Sequence, residues 1–414
     1  MTRRLWVLCH RWVGLALAAI LIVAGTTGSI LAFHEEIERA LNPRLFASPA
    51  AACGALDVGA LAVHAEQHAP QARVISIYLA GSQGATYAVM EARRDPLTGA
   101  SPSLGFNHLL LDPCTGAEIG RRDFGAIPRG WIDLMPFIYK LHYELALGEF
   151  GLWLFGIGAV LWTLDCFVAA YLTLPPRRRG HAGVTRRSFW RRWWPAWKVK
   201  WPASSVRVNF DIHRAGGLWL WTMLLIFAWS SVYMNLWSTV YTPVMQTFFD
   251  YRPPWTELPK RNPPLTEPRL GWREAAAASA TLLAQEAQAR GFAVESPVSL
   301  RLNRHLGVYQ YQARTSLDVQ DRRGFTRLFM DADSGELKLL QLPAGQYAGN
   351  SVTAWLYALH TGNVFGLPWR IFVCVLGLFV VALNVTGVLI WLKKREARKA
   401  NRVRVRALAP STNR

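Results

Sequence analysis

The chain has 414 residues, of which 51% are hydrophobic, and a formal net charge of +19. The apolar residues are concentrated in a few long blocks, which indicates a membrane protein rather than two or three soluble domains. The charge does not indicate nucleic-acid binding, because no recognition motif accompanies it and the basic residues flank the apolar blocks.

Four stretches without Lys or Arg are about long enough to cross a hydrocarbon core of roughly 30 Å. They are 12–33, 150–174, 216–237 and 371–392, and only Asp165 places an acid within them. The first follows Arg3 and Arg4, but it is too long for the core of a signal peptide and no small-residue cleavage site follows. We therefore expect a retained membrane anchor.

Basic residues between and after these stretches predict the orientation of the chain. Residues 175–210 contain ten Lys or Arg and no acid, and a second basic run follows Leu392. The positive-inside rule places these segments and the N-terminus in the cytoplasm. We expect a multi-pass protein of the bacterial inner membrane, with 36–138 and 238–364 in the periplasm and the basic segments against lipid headgroups.

The sequence contains an internal repeat, with matching motifs in its two halves. His10-Arg11-Trp12-Val13-Gly14-Leu15 and His213-Arg214-Ala215-Gly216-Gly217-Leu218 open the first and third stretches, and Tyr139-Lys140-Leu141-His142 and Tyr357-Ala358-Leu359-His360 lead into the second and fourth. Both halves start inside, which predicts two parallel repeats around a pseudo-twofold axis along the membrane normal. The predicted segments are transmembrane helices at 1–35, 139–174, 212–238 and 357–392, periplasmic domains at 36–138 and 239–356, a basic cytoplasmic loop at 175–211 and a basic tail at 393–414.

The periplasmic segments predict two small α+β domains. The first combines a helix at 56–69, strands at 73–80 and 86–94, and a turn at 112–118. The second combines a helix at 272–290, strands at 298–302, 309–315 and 326–330, and a turn at 331–336, after a proline-rich linker at 243–268. Cys53 and Cys114 share the first domain in an oxidising compartment, where a disulfide is possible, and their spacing leaves the pairing open.

These features resemble the PepSY-associated transmembrane family. The matching motifs are His-Arg-Trp-x-Gly-Leu at 10–15, Thr-Gly-Ser at 27–29, Phe-His-Glu-Glu at 33–36, and an Asp-Pro-x-Thr-Gly-Glu turn at 112–118 with Ala117 inserted. The resemblance implies an integral inner-membrane protein with four transmembrane helices and PepSY-like periplasmic domains. In some members it implies a haem-containing reductase that releases iron from ferric siderophores.

Four histidines occupy equivalent ends of the predicted helices. His10 and His213 lie at the cytoplasmic ends, and His142 and His360 lie at the periplasmic ends. A twofold axis would bring each pair to one depth on facing helices, as two bis-histidine haem b groups require. Taken singly, each would be an ordinary interfacial residue.

Other residues could support these pairs. Gly14 and Gly217 each follow a histidine by four residues, and they either clear space for a porphyrin or allow close helix packing. His34 has no repeat partner and could replace His142 or His360 as a ligand, or relay a proton. Asp165 could carry protons near a quinol or accept a hydrogen bond from a ligand histidine. Alternatively, it bonds to a neighbouring helix through a polar side chain such as Thr163, Thr222 or Asn384.

Other chemistries lack their motifs. Zinc and copper ligand spacings are missing, and His64 and His68, four residues apart, are more typical of an exposed helix surface than of a metal site. No Gly-x-Gly-x-x-Gly or phosphate loop is present, so electrons must come from quinol or a cytoplasmic flavoprotein. The favoured hypothesis is haem-mediated electron transfer to a periplasmic ferric siderophore. The alternatives are a non-enzymatic periplasmic sensor or partner-binding membrane protein, and a haem subunit of a larger oxidoreductase.

Overall fold

The computed structural model describes residues 2–46, 53–79, 85–93, 102–176 and 188–407. It divides into two compact units. The helical unit comprises residues up to 29, 141–236 and 374 onward, and the sheet unit comprises 30–140 and 237–373.

The helices follow the apolar and amphipathic segments of the sequence. In chain order they are α1 (Arg3–Leu31), α2 (His34–Leu41), α3 (Val58–His68), α4 (Trp131–Glu144), α5 (Gly148–Thr173), α6 (Phe189–Trp193), α7 (Ser205–Trp219), α8 (Trp221–Asn235), α9 (Thr242–Phe248), α10 (Pro254–Glu257), α11 (Trp272–Arg290), α12 (Ala348–Thr361) and α13 (Gly366–Ala407). The proline-rich linker expected at 243–268 thus contains most of α9 and all of α10. Both have a proline in their first turn, where the missing N–H costs no helical hydrogen bond.

Three helices among the described residues are long and apolar enough to cross a membrane: α1, α5 and α13 up to Arg402. The stretch expected as a third span is instead α7 and α8, which meet at a bend of 70° and pass the same test only as a pair. The break at Leu220 follows Gly216 and Gly217, and adjacent small residues are a common cause of helix kinks.

The predicted helices 139–174 and 357–392 are each interrupted near their start. α4 ends before α5, and α12 ends before α13, at segments where several residues have positive φ: Leu145, Ala146 and Gly148 in the first, and Gly362, Phe365 and Gly366 in the second. Left-handed residues end a helix by turning its last carbonyls away from the next turn. His142 and His360 therefore lie in the last turns of short helices that precede the long apolar ones.

The sheet unit contains one eight-stranded antiparallel sheet. Its strands are β1 (Ala72–Tyr78), β2 (Tyr87–Ala92), β3 (His108–Leu111), β4 (Glu118–Arg122), β5 (Val294–Asn303), β6 (Val308–Thr315), β7 (Thr326–Asp331) and β8 (Leu337–Gln341). The spatial order is β4-β3-β2-β1-β5-β6-β7-β8. Of the predicted strand ends, 80 and 94 lie outside the described residues.

The structure differs from the expected pair of separate α+β domains, because the two four-stranded halves share one sheet and one core. β1 pairs with β5, with Ile77 opposite Leu300. The buried cluster runs from Leu61 and Val74 in the first half to Leu283 and Leu328 in the second. Pairing β1 with β5 satisfies backbone groups that two isolated domains would each expose at an edge strand.

The two Asp-Gly turns connect strands as predicted. Oδ1 of Asp112 accepts hydrogen bonds from the backbone N–H groups of Cys114 and Thr115, each at 2.9 Å. Asp331 accepts equivalent bonds before β8. Cys53 and Cys114 form a disulfide, with their Cα atoms 6.0 Å apart, so the pairing that the sequence left open is made.

A stack of aromatic rings crosses the first half of the sheet. Tyr78, Tyr87, His108 and Phe124 follow one another with ring centroids 4.9, 4.8 and 4.9 Å apart. His108 is buried, and its Nδ1 atom has no hydrogen-bond partner among the described residues. Burial, and then the charge of Arg122, lower the pKa of His108 to about 3, so the imidazole is neutral in the folded protein.

We predict that Gly59→Ala destabilises the sheet unit. Gly59 on α3 faces the backbone of Arg273 on α11, and an added Cβ would collide with it. Overpacking of this kind costs about 1–3 kcal/mol. Thermal unfolding of the purified protein should show a lowered midpoint for Gly59→Ala and no change for the control Gly130→Ala, where a Cβ meets no described atom within 4 Å. Equal midpoints for the two variants would contradict the packing assignment.

We predict that His108→Phe makes stability less sensitive to acid. The unfolded state takes up a proton at His108 near pH 6.5, whereas the folded state does so only near pH 3. The native protein therefore loses stability as pH falls between these values, by about 2 kcal/mol at pH 5. The free energy of unfolding, measured from pH 7 to pH 5, should fall less steeply for His108→Phe than for the native protein. The control Gly130→Ala, which removes no titrating group, should keep the native slope.

Candidate functional site

Two histidines from different halves of the sequence meet in the helical unit. His10 lies on α1 and His213 on α7, with ring centroids 6.1 Å apart and ring planes inclined by 51°. A metal ion bound by two imidazole nitrogens holds them about 4 Å apart, because each metal–nitrogen bond is about 2 Å long. The centroid separation of 6.1 Å leaves room for one ion between the two rings.

The Nδ1 atom of His10 is held by Asp165 on α5. It donates to the carboxylate, with Oδ1 at 3.0 Å and Oδ2 at 2.9 Å. Of the roles considered for Asp165, the structure thus has the hydrogen bond with a histidine. Thr163 and Asn384 instead donate to carbonyls of their own helices.

The Nδ1 atom of His213 has a different partner, on α13. It donates to the carbonyl of Leu383 at 3.0 Å and lies 3.2 Å from Oγ1 of Thr386. Metal-binding histidines commonly donate their second ring N–H to a carboxylate or carbonyl, which fixes the tautomer and leaves the other nitrogen for the metal. Both members of this pair follow that pattern.

Glycines adjust the space around the pair in two ways. A Cβ at Gly387 on α13 would lie 3.1 Å from Cε1 of His213, so this glycine makes room for the imidazole. A Cβ at Gly14 or Gly217 would meet no described atom within 4 Å. Close helix packing therefore does not account for these two glycines, and open space lies one turn from each histidine.

His142 has a comparable setting within the helical unit. Thr27 donates its hydroxyl hydrogen to the carbonyl of Val23 at 2.7 Å, so its oxygen can accept from Nδ1 of His142 at 3.0 Å. A Cβ at Gly28 would lie 2.9 Å from the ring of His142. The sequence reasoning missed Thr27 as a partner of His142, although Thr-Gly-Ser at 27–29 was among its motifs.

His360 and His34 belong to the sheet unit, and their pairing with His142 stays a prediction. His34 begins α2, and its Nδ1 lies 3.2 Å from the carbonyl of Leu31. Its Nε2 atom lies 3.8 Å from Oε1 of Glu35.

The acids that follow His34 form ion pairs. Glu35 lies 2.9 Å from Nη1 of Arg322. Glu36 accepts hydrogen bonds from Arg370, which lower the pKa of Glu36 to about 2, and Arg370 also donates to the carbonyl of Ala32 at 3.0 Å. These contacts explain the Phe-His-Glu-Glu segment at 33–36 as a structural junction within the sheet unit.

The remaining histidine pair, His64 and His68, packs against a turn of the sheet unit. Nε2 of His68 lies 2.9 Å from the carbonyl of Gly116, and a Cβ at Gly116 would collide with the ring of His64. Both rings thus lie against the 112–118 turn. Among the described residues, no three His, Cys, Asp or Glu side chains form a group that could hold a metal ion.

Comparison with known proteins identifies the family of the chain. No curated protein matches it. The family model described as the PepSY-associated TM region matches residues 7–394, which covers nearly the whole sequence and contains the candidate histidines. The chain belongs to the PepSY-associated TM family, and it is a membrane protein with transmembrane helices.

Proposed function

We propose that the chain transfers electrons across the bacterial inner membrane through two haem b groups and reduces a periplasmic ferric siderophore. The observation that carries the proposal is the pairing of His10 and His213, each with Nδ1 bonded to a fixed acceptor. His10 and His213 would hold the iron of one haem, because two histidines on separate helices, each with its Nδ1 atom engaged, suit bis-histidine ligation. Haem would supply a one-electron couple at this point.

The topology in this proposal has four spans in two parallel repeats. α1, α5 and α13 are three of them, and the bent pair of α7 and α8 is the fourth. The basic segments after α5 and along the end of α13 favour a cytoplasmic location for both termini. The sheet unit then lies in the periplasm, where the Cys53–Cys114 disulfide is stable.

The second haem in this proposal lies near the periplasmic side. His142 would be one ligand, since Thr27 lies 3.0 Å from its Nδ1 atom and can fix the ring as Asp165 fixes that of His10. His360 would be the other, with His34 as the alternative. Neither choice changes the direction of electron flow, from a cytoplasmic-side pair to a periplasmic-side pair.

The substrate chemistry is a one-electron reduction of Fe(III) to Fe(II). Hard oxygen ligands such as those of siderophores hold Fe(II) less strongly than Fe(III), so reduction favours release of the metal. The electron donor is a quinol or a cytoplasmic flavoprotein, because the sequence carries no nicotinamide or flavin fingerprint.

We predict that protein purified from iron-supplied cells contains haem b. Its visible spectrum should show haem bands that sharpen when dithionite is added. His10→Ala and His213→Ala should each remove the same one of the two haems, while the control His305→Ala should keep both. A preparation without haem bands would overturn the electron-transfer proposal and leave the sensor alternative. Loss of different haems in the two variants would overturn the pairing.

We predict that Asp165→Asn raises the midpoint potential of the haem held by His10. The amide oxygen can still accept from Nδ1, but the negative charge that stabilises the oxidised iron is gone. Optical redox titration should show one haem shifted to a more positive potential and the other unchanged. The control Thr163→Val, two residues away on the same helix, should leave both potentials unchanged. Unchanged potentials in Asp165→Asn would contradict the assigned role.

A further inference from the structure

Residues 188–201, which we name the aromatic platform, expose several large rings. The platform consists of α6, a single 3-10 turn at Trp194–Trp197 and the residues that follow. Its outward side chains keep large fractions of their surface exposed: Phe189 47%, Trp190 69%, Trp194 61% and Trp201 68%. An exposed cluster of this kind commonly marks an interaction surface.

The platform is fixed to the helical unit by hydrogen bonds from its inner side. Nε1 of Trp193 donates to Oγ1 of Thr173 at the end of α5, at 3.2 Å. From α7, Arg214 donates to the carbonyl of Pro195 at 2.9 Å, and Trp219 donates to that of Trp197 at 3.1 Å. The exposed rings therefore belong to an ordered surface.

The same end of the helical unit contains the start of α1. Nη1 of Arg3 donates to the carbonyl of Leu174, just after α5, at 3.0 Å. Thr173, which holds Trp193, is the last residue of that apolar helix. The platform thus lies where membrane-spanning helices end, which is the depth of the headgroup region.

Cations alternate with the rings along the platform. Arg191, Lys198 and Lys200 are exposed, and Nζ of Lys198 lies 5.4 Å from the ring centroid of Trp194. No acid occurs anywhere in 175–210. The surface combines amphipathic aromatic rings with positive charge. Asp211, which accepts from the backbone N–H of Lys200, is itself buried and paired with Arg207 and Arg214.

We propose that the aromatic platform docks onto an anionic phospholipid leaflet. Trp rings favour the boundary between headgroups and acyl chains, and Lys and Arg beside them attract lipid phosphates. An acidic soluble protein would match the charge as well, but it would not account for the location of the rings at the ends of spanning helices. The proposal is independent of the electron-transfer function.

The first experiment measures lipid selectivity. The full-length protein is placed in nanodiscs of phosphatidylcholine and phosphatidylglycerol, released, and analysed by native mass spectrometry for retained lipid. Native protein should retain phosphatidylglycerol preferentially, and the combined variant Arg191→Gln, Lys198→Gln, Lys200→Gln should lose most of this preference. The control removes the same charge from the sheet unit, at Lys260, Arg273 and Arg301, and should behave like native protein. Unchanged preference in the platform variant would overturn the proposal.

The second experiment measures the depth of the rings. The emission of Trp190 and Trp194 is isolated by subtracting the spectrum of the double variant Trp190→Phe, Trp194→Phe from that of native protein, both in bilayers. Lipids brominated near the headgroup should quench this component strongly, and aqueous acrylamide should quench it weakly. Strong acrylamide quenching without bromolipid quenching would overturn the proposal, and it is the result expected for a surface open to a soluble protein.

Discussion

The helical unit is organised around two histidine rings, each of which has its Nδ1 atom fixed by a hydrogen bond to another helix. His10 takes a carboxylate from α5, and His213 takes a carbonyl from α13. Each histidine is thus held by a helix distant in sequence. The four apolar segments must assemble before the two rings can meet, so the site depends on the packing of the whole unit.

The two anchors differ in charge, and this difference has a chemical consequence. A carboxylate on Nδ1 makes the imidazole a stronger electron donor than a carbonyl does. A buried carboxylate is costly in a membrane unless it has a partner, and the imidazole N–H supplies one. The contact with His10 therefore accounts for the one acid within an apolar stretch.

Much of the fold could be predicted from periodicity and charge. Helix α11 has the bounds that its small-residue pattern predicted, and the turns at 112–118 and 331–336 connect strands because Asp and Gly fix them locally. The pairing of β1 with β5 could not be predicted, because alternation along a strand shows which face is buried but not which edge finds a partner. The breaks after His142 and His360 were missed as well, since Leu145 and Phe365 adopt left-handed conformations that their residue types rarely take.

The candidate site was predictable in its residues but not in its supports. The repeat singled out His10 and His213 because equivalent positions carried the same residue type. The partner of His213 is a backbone carbonyl, and any residue type at Leu383 would provide one, so no sequence pattern could reveal it. Gly14 and Gly217 show the opposite case: the sequence left clearance and helix packing equally open, and the space beside them favours clearance. The role of a glycine depends on which atoms surround the position where a Cβ would lie, and only the structure shows those atoms.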